Sequence, residues 1–183
     1  ATQKLSFSMR NEMQVKMDYK TKEISNNMFP STEGEIIRRD LPSVLGFGAA
    51  LNVSEKTTLL ADINYYFQEN ANWDETQVGP DMISTSKLAG NAVCYGIGLE
   101  YRINSKFLWS LGGNYTQFDF GDQAGYFGNF GAFETAPGDN AAICTGVAYN
   151  PTTKIRINAG FTQAMYTKET IKSTNYAAAG ADV

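Results

Sequence analysis

Residues 91–118 read NAVCYGIGLEYRINSKFLWSLGGNYTQF, and this stretch decides the fold. Its bulky apolar side chains recur at every second position on both sides of a polar turn, Asn104-Ser105-Lys106. A helix would spread such a period over all of its faces, whereas a strand places alternate residues on opposite faces. The stretch therefore predicts a β-hairpin that pairs 91–103 with 107–118.

The same pattern predicts two more hairpins and a long first strand. Residues 41–53 pair with 57–68 across Ser54-Glu55-Lys56, and 141–149 pair with 154–165 across the turn 150–153. Residues 4–20 alternate with one exception, which predicts a single strand of 17 residues. Loops rich in Gly, Asn, Asp, Ser and Pro lie between these elements, at 21–40, 69–90 and 119–140.

A lysine recurs at or just after each short turn, at positions 56, 106 and 154. The repeating unit is therefore a hairpin followed by a long loop. Propeller blades need four strands per unit, so two strands per unit favour an antiparallel up-and-down barrel. We predict an all-β fold in one domain spanning residues 1–183.

The two registers of these strands differ in character. One carries Leu, Ile, Val and aromatic residues, and the other carries Gly, Ala, Ser and Asn with a few charges such as Asp62 and Glu100. A soluble barrel would need an outer face dense in Lys and Glu, so the pattern favours bulky side chains against lipid and small ones in a lumen. Strands of about 12 residues, tilted by about 40°, span about 30 Å, the thickness of a bilayer's hydrocarbon core.

Aromatic residues cluster near the strand ends, which is typical of the two girdles of a transmembrane barrel. Tyr101, Trp109 and Tyr149 lie by the short turns, and Tyr65 and Phe118 lie by the long loops. The alternative is ordinary aromatic pairing across a soluble sheet. Outer-membrane barrels keep short turns periplasmic and long loops extracellular, which predicts the orientation of the chain.

Composition excludes several classes of function. The 183 residues carry a formal charge of −4 with no basic run, so a nucleic-acid partner is not expected. The chain has no histidine, which removes His-based triads and histidine zinc sites. We expect no enzyme activity, metal or cofactor; a barrel enzyme is a distant alternative. The longest apolar stretches, of about eight residues, are too short for a membrane-spanning helix.

Two further expectations concern closure and the cysteines. Seven strands leave an open edge whose backbone groups lipid cannot satisfy, so more strands are expected before residue 1, after residue 183, or both. Cys94 and Cys144 share a register on strands that are separated by another strand. Their Cα atoms should then lie about 10 Å apart, too far for a disulfide, so both should be free thiols.

Three segments resemble the long-chain fatty acid transporter family of outer membranes, the FadL/TodX family. They are residues 40–51, DLPSVLGFGAAL, the turn 54–56, SEK, and residues 59–65, LLADINY. Residues 98–104, 112–115 and 146–149 are similar to the family's following hairpins. The likeness covers roughly residues 3–166.

The resemblance implies a barrel of 14 strands, of which this chain supplies about seven, the C-terminal half. It implies an N-terminal hatch, whose Asn-Pro-Ala motif does not occur in this sequence. It further implies an outer membrane of a Gram-negative-type bacterium, with lipid and lipopolysaccharide around the barrel. The implied activity is passive inward transport of hydrophobic molecules, such as fatty acids or aromatic hydrocarbons, with release sideways through the wall.

Five residues are candidate ligand contacts. By register, Arg102 and Arg156 face the lumen, where a cation could hold a fatty-acid carboxylate. The alternative is an ion pair with Glu100 or Asp62. The other three candidates are phenylalanines in a Gly-rich loop, where an apolar patch could gather hydrophobic ligand or fold over its own strands: Phe127, Phe130 and Phe133.

The sequence leaves two alternative functions open. A general-diffusion porin or structural barrel shares every periodicity argument and differs only in lacking a ligand pocket. A soluble barrel that binds an apolar ligand would place the bulky register inside.

Overall fold

The structure, a computed structural model, describes residues 4–20, 22, 34–78, 81–119, 138–167, 174–175 and 181–182. The strands in chain order are β1 (Leu5–Glu12), β2 (Asp18–Lys20), β3 (Ile36–Arg38), β4 (Ser43–Asn52), β5 (Thr57–Phe67), β6 (Glu75–Val78), β7 (Asp81–Ser84), β8 (Ala92–Arg102), β9 (Phe107–Phe118), β10 (Asn140–Thr152), β11 (Ile155–Tyr166), β12 (Thr174–Asn175) and β13 (Ala181–Asp182). A short 3-10 helix (Gln68–Asn70) follows β5, and the helix α1 (Thr85–Ala89) precedes β8.

Seven strands form one antiparallel sheet in the order β1-β4-β5-β8-β9-β10-β11. Each strand pairs with the next member of the sheet along the chain, which is up-and-down topology. The predicted all-β fold, part of an up-and-down barrel wall, is confirmed. The hairpin boundaries agree with the prediction to within three residues, and the largest difference is that β10 continues to Thr152 across a bulge after Tyr149.

One face of the sheet carries the odd-numbered residues and the other carries the even-numbered ones, because Cα partners share parity before the bulge in β10. We call these the odd face and the even face. Large apolar side chains are exposed on the odd face, with Phe7 79% and Ile97 73% accessible. Every buried residue of the seven strands lies on the even face: Val44, Gly46, Ala92, Gly96, Ala142 and Ala148.

Glycines let the even face pack closely. The side chain of Asp62 covers Gly96 on the neighbouring strand, and the side chain of Asn64 covers Gly46. Any side chain at either glycine would displace these neighbours. The bulky register therefore does not form a common centre, and the small residues are crowded together on the even face.

The first strand differs from the prediction. Instead of one strand of 17 residues, β1 ends at Glu12, and the chain re-enters a sheet only at β2, which pairs with β3. The ladder between β1 and β4 stops because Pro42, next to the start of β4, has no amide to donate. Beyond it, a single bridge joins Val15 to Leu41, and the amide of Met17 donates to the carboxylate of Asp40.

The predicted loop 69–90 contains structure of its own. It holds the hairpin of β6 and β7 followed by α1, which ends at Ala89 and is followed by Gly90, with a φ of +68°. Within the described residues, no helix has the length and apolar character to cross a membrane.

Candidate functional site

A shallow depression of about 510 Å³ lies on the even face at the middle of the sheet. One row of cross-strand partners runs through it and carries neither a charge nor an amide side chain. In order from β1 the row reads Ser6, Ala50, Leu60, Gly98, Gly112, Cys144 and Thr162. We call it the central row.

Close packing shapes the central row. The Cβ of Leu60 lies 3.5 Å from where a Cβ on Gly98 would be, and Sγ of Cys144 lies 3.4 Å from the equivalent point on Gly112. Leu60 remains 37% accessible although it points to the polar side of the sheet. Between Leu60 and Cys144 the row thus offers an apolar floor, because Gly98 and Gly112 carry no side chain.

Polar residues border the central row on both sides. Toward the long loops, Asp62 accepts a 2.8 Å hydrogen bond from Nδ2 of Asn64, and Asn114 lies in the same row as Asp62. Toward the short turns, Glu100 is paired with Ser110, whose hydroxyl donates to the carbonyl of Gly146. A solute passing along this face would cross an apolar band between two polar ones.

Arg102 lies nearer the short turns. It lines a second depression of about 370 Å³, whose charged residues also include Lys4, Glu55, Lys56 and Glu100. Arg102 is exposed, and the depression holds three cations and two carboxylates, so this end of the even face has a local excess of positive charge. Such a site has the chemistry to hold an anion.

Arg156 does not join Arg102. The two residues are on β11 and β8, with β9 and β10 between them, so roughly 14 Å of sheet separates them. Nε of Arg156 donates a 3.0 Å hydrogen bond to Oδ1 of Asn158. Among the ion pairs of the described residues, none joins Arg102 or Arg156 to Glu100 or Asp62, so the alternative of an ion pair is not observed.

The three candidate phenylalanines lie outside the described residues: Phe127, Phe130 and Phe133. Their proposed role as ligand contacts stays a prediction. Metal-ligating side chains form no group of three or more in the part of the chain that the structure describes.

The cysteines are both free and half-buried on the even face. The predicted separation was wrong, because Cys94 is opposite Thr116 whereas Cys144 is opposite Gly112. This offset of four residues adds about 13 Å along the strand to the two strand spacings. Cys144 lies in the central row, and Cys94 lies in a polar row beside Asn64.

The odd face has its own depression of about 690 Å³, lined almost entirely by carbon. It lies where small residues, Ala49, Ala61 and Gly113, interrupt the bulky register. Gly98 and Gly112 line both this depression and the one around the central row. The two depressions are back to back, and backbone alone separates them at this point.

A polar cluster around Asp40, which the sequence did not predict, lies at the end of the sheet that carries the long loops 13–42, 68–91 and 119–139; we call this end the loop edge. Asp40 is 2% accessible, and its carboxylate accepts hydrogen bonds from Gln14, Arg38 and the amides of Met17 and Asn72. Burial alone would raise the pKa of Asp40, but these donors outweigh it and lower the pKa to about 2. The carboxylate therefore connects three segments of the chain through hydrogen bonds: residues 14–17, 38–40 and 72.

Comparison with known proteins supports the architecture. No family model and no curated protein matches the chain. A solved structure described as "CymD monoaromatic hydrocarbon channel" is similar, with a TM-score of 0.59 and 11% sequence identity. The likeness covers 91% of this chain and 44% of that one, so the chain spans less than half the length of the channel. At this identity the similarity shows a shared fold.

Proposed function

We propose that the chain forms part of the wall of an outer-membrane channel that passes hydrophobic compounds by passive diffusion. The observation that carries this proposal is the division of the sheet into an exposed apolar odd face and a close-packed even face of small and polar residues. In lipid the apolar side chains of the odd face are removed from water, which is favourable, and the even face lines the passage. A soluble barrel would need the opposite arrangement.

The central row favours hydrophobic solutes over the general-diffusion alternative. A polar solute gains little from a band that carries neither a charge nor an amide side chain, whereas an apolar solute buries surface against Leu60 and the glycines there. The structural neighbour's description as a hydrocarbon channel supports the same class of solute. We take small hydrocarbons as the first candidates.

Fatty acids are a second candidate class, and Arg102 is the observation that favours them. Its depression carries an excess of positive charge at the short-turn end of the passage, where a carboxylate could be held while the acyl chain lies along the central row. Arg156, hydrogen-bonded to Asn158, is the weaker candidate contact.

The back-to-back depressions are our proposed place for release through the wall. With no side chain at Gly98, Gly112 or Gly113, a solute resting on the central row is separated from the odd-face depression by backbone only. The two depressions together suit an apolar solute on both sides of the wall.

The native cysteines provide the test. In the full-length protein reconstituted in vesicles, modification of Cys144 by a maleimide should slow severalfold when toluene is added, because the solute covers the central row. Cys94 serves as the internal control, since it lies on the same face in a polar row. Glucose should protect neither thiol.

A transport measurement accompanies the labelling. Leu60→Asp should lower toluene uptake at least tenfold, equivalent to about 1.4 kcal/mol, because it sets a charge in the apolar band. Leu60→Met keeps the band apolar and should transport normally. Equal protection of both cysteines, or full uptake by the aspartate variant, would contradict the proposal.

A further inference from the structure

The side chain of Glu100 is shared by two depressions of the even face. It lines the depression of about 510 Å³ around the central row and also the depression of about 370 Å³ that contains Arg102. On β8, Glu100 is two residues from Gly98, so about 7 Å along the strand separates it from the middle of the central row. A solute that rests on the apolar floor there has this carboxylate within reach.

Glu100 has no hydrogen-bond partner of its own among the described residues. Its cross-strand neighbours, Thr58 and Ser110, both carry hydroxyl groups, but neither hydroxyl donates to it. Oγ1 of Thr58 donates a 2.9 Å hydrogen bond to Asn52, and Oγ of Ser110 donates one of 3.4 Å to the carbonyl of Gly146. No ion pair of the described residues includes Glu100. This half-buried carboxylate therefore keeps its capacity to accept hydrogen bonds.

The charge around Glu100 decides which donor suits it. A carboxylate only accepts hydrogen bonds, so the matching group of a solute has to donate one. An ammonium group could donate, but the adjoining depression holds three cations, Lys4, Lys56 and Arg102, against two carboxylates, and this excess repels a further cation. A hydroxyl group donates without carrying a charge.

We propose that Glu100 binds the hydroxyl group of a phenol or alcohol whose hydrocarbon body lies on the central row. The inference rests on the proposed function, because it takes the even face as the lining of the passage, and it names a solute class for that site. Water satisfies Glu100 when no solute is bound, and a solute that displaces this water without donating a hydrogen bond leaves the carboxylate unsatisfied. Asp62, across the central row, is the weaker acceptor because Asn64 already donates to it.

Solutes that share a methyl-substituted ring provide the test. Of these, p-cresol carries a hydroxyl, p-methylanisole carries an oxygen without a hydrogen to donate, and toluene carries neither. In the full-length protein reconstituted in vesicles, we would measure the concentration of each solute that halves the rate of maleimide modification of Cys144, with Cys94 as the internal control. Comparing each solute with itself in wild type and variant cancels its partition into lipid.

Glu100→Met removes the acceptor and keeps a side chain of similar length. It should raise the protective concentration of p-cresol about tenfold, the loss of one hydrogen bond to a charged group. The values for p-methylanisole and toluene should not change, which also shows that the variant is folded. Glu100→Gln keeps a neutral acceptor and should lose less. Glu55→Met, the same substitution in the depression that contains Arg102, should have no effect on p-cresol.

The outcomes separate this inference from the proposed function. If p-cresol does not protect Cys144, or protects it equally in wild type and Glu100→Met, the hydroxyl site is overturned, while protection by toluene still supports a hydrocarbon passage. An equal loss in Glu55→Met would also overturn it, because the effect would then be one of charge alone. Absence of protection by toluene contradicts the proposed function, and the response of p-cresol to Glu100→Met still decides the hydroxyl site.

Discussion

Ser54 and Asn104 occupy equivalent positions in two different hairpin turns. The side-chain oxygen of Ser54 accepts hydrogen bonds from the amides of Lys56 and Thr57, and that of Asn104 accepts them from Lys106 and Phe107. In both turns the preceding residue also donates its amide to the first residue of the next strand. A serine and an asparagine thus build the same turn, because each has an oxygen that can cap two amides.

Replacing either capping residue should weaken its hairpin. We expect Ser54→Ala and Asn104→Ala each to lower the free energy of unfolding by about 1 kcal/mol, the net value of a lost side-chain hydrogen bond. Urea unfolding of the full-length protein in detergent would measure this. Ser105→Ala, in the same turn as Asn104, should have little effect, and an equal loss there would show that the caps are not responsible.

Charge should be tolerated on one face of the wall and not on the other. Ile97→Arg places a cation on the odd face at mid-height and should cost about 2–4 kcal/mol of unfolding free energy in a bilayer. Asn114→Arg, one row away on the even face, is the matched control and should cost much less. The reverse order of the two variants would mean that the odd face does not contact lipid.

The loop edge should loosen in acid because of Asp40. Its pKa of about 2 in the folded chain lies below the ordinary value of 3.8, so the carboxylate favours folding above about pH 4 and loses that effect as the pH falls towards 2. Trp73, whose Nε1 donates a 2.7 Å hydrogen bond to the carbonyl of Asp40, reports the change when Trp109 is replaced by Phe. Its emission should shift to longer wavelength over that interval.

Two variants distinguish the contribution of Asp40 to this acid-induced change from that of the other carboxylates of the loop edge. Asp40→Asn should give the shifted emission already at neutral pH, with little further change in acid. Asp119→Asn, a change of the same size at an exposed position, should keep the wild-type profile. If both variants behave like the wild type, another carboxylate controls the loop edge.

Gly90 should not tolerate a side chain. Its φ of +68° and ψ of −173° lie in a region that is almost restricted to glycine, and a Cβ there would overlap the backbone carbonyl of Asp119. Gly90→Ala should therefore cost about 2–3 kcal/mol, the backbone strain together with the overlap. Gly34 also has a positive φ, but a Cβ there would contact only the side chain of Lys20. Gly34→Ala should therefore lower the free energy of unfolding by less. Urea unfolding of the two variants would compare them.

Alternation in the sequence predicts the large sheet well, because a period of two with a sharp contrast between registers leaves one strand assignment. The limits of β9 were predicted without error for this reason. The break after Glu12 was not predicted, because apolar and polar residues continue to alternate through 13–20. The pairing of β1 with β4 ends there because of Pro42, which lies next to the start of the partner strand. Periodicity within one strand carries no information about its neighbour.

The candidate site was predicted only in part. Parity places Arg102 and Arg156 on one face, but their separation depends on how many strands lie between them and on how the rows align. The central row could be found only from the register, since Leu60 and Cys144 are 84 positions apart in the sequence. The Asp40 cluster joins residues 14, 40 and 72, and no local pattern links these positions.

The equivalence of the two turns has a consequence for how such a wall can change its width. Residues 54–103 comprise one turn, the two antiparallel strands β5 and β8, and the long loop between them. Removal of these residues would connect β4 to β9 through the turn 104–106, which has the same hydrogen bonds as the turn that is lost. Partner residues would keep their parity, because 50 residues are removed and even-numbered positions would still meet even-numbered ones. Gene duplication or deletion of such a module could therefore widen or narrow a pore without turning its lining inside out.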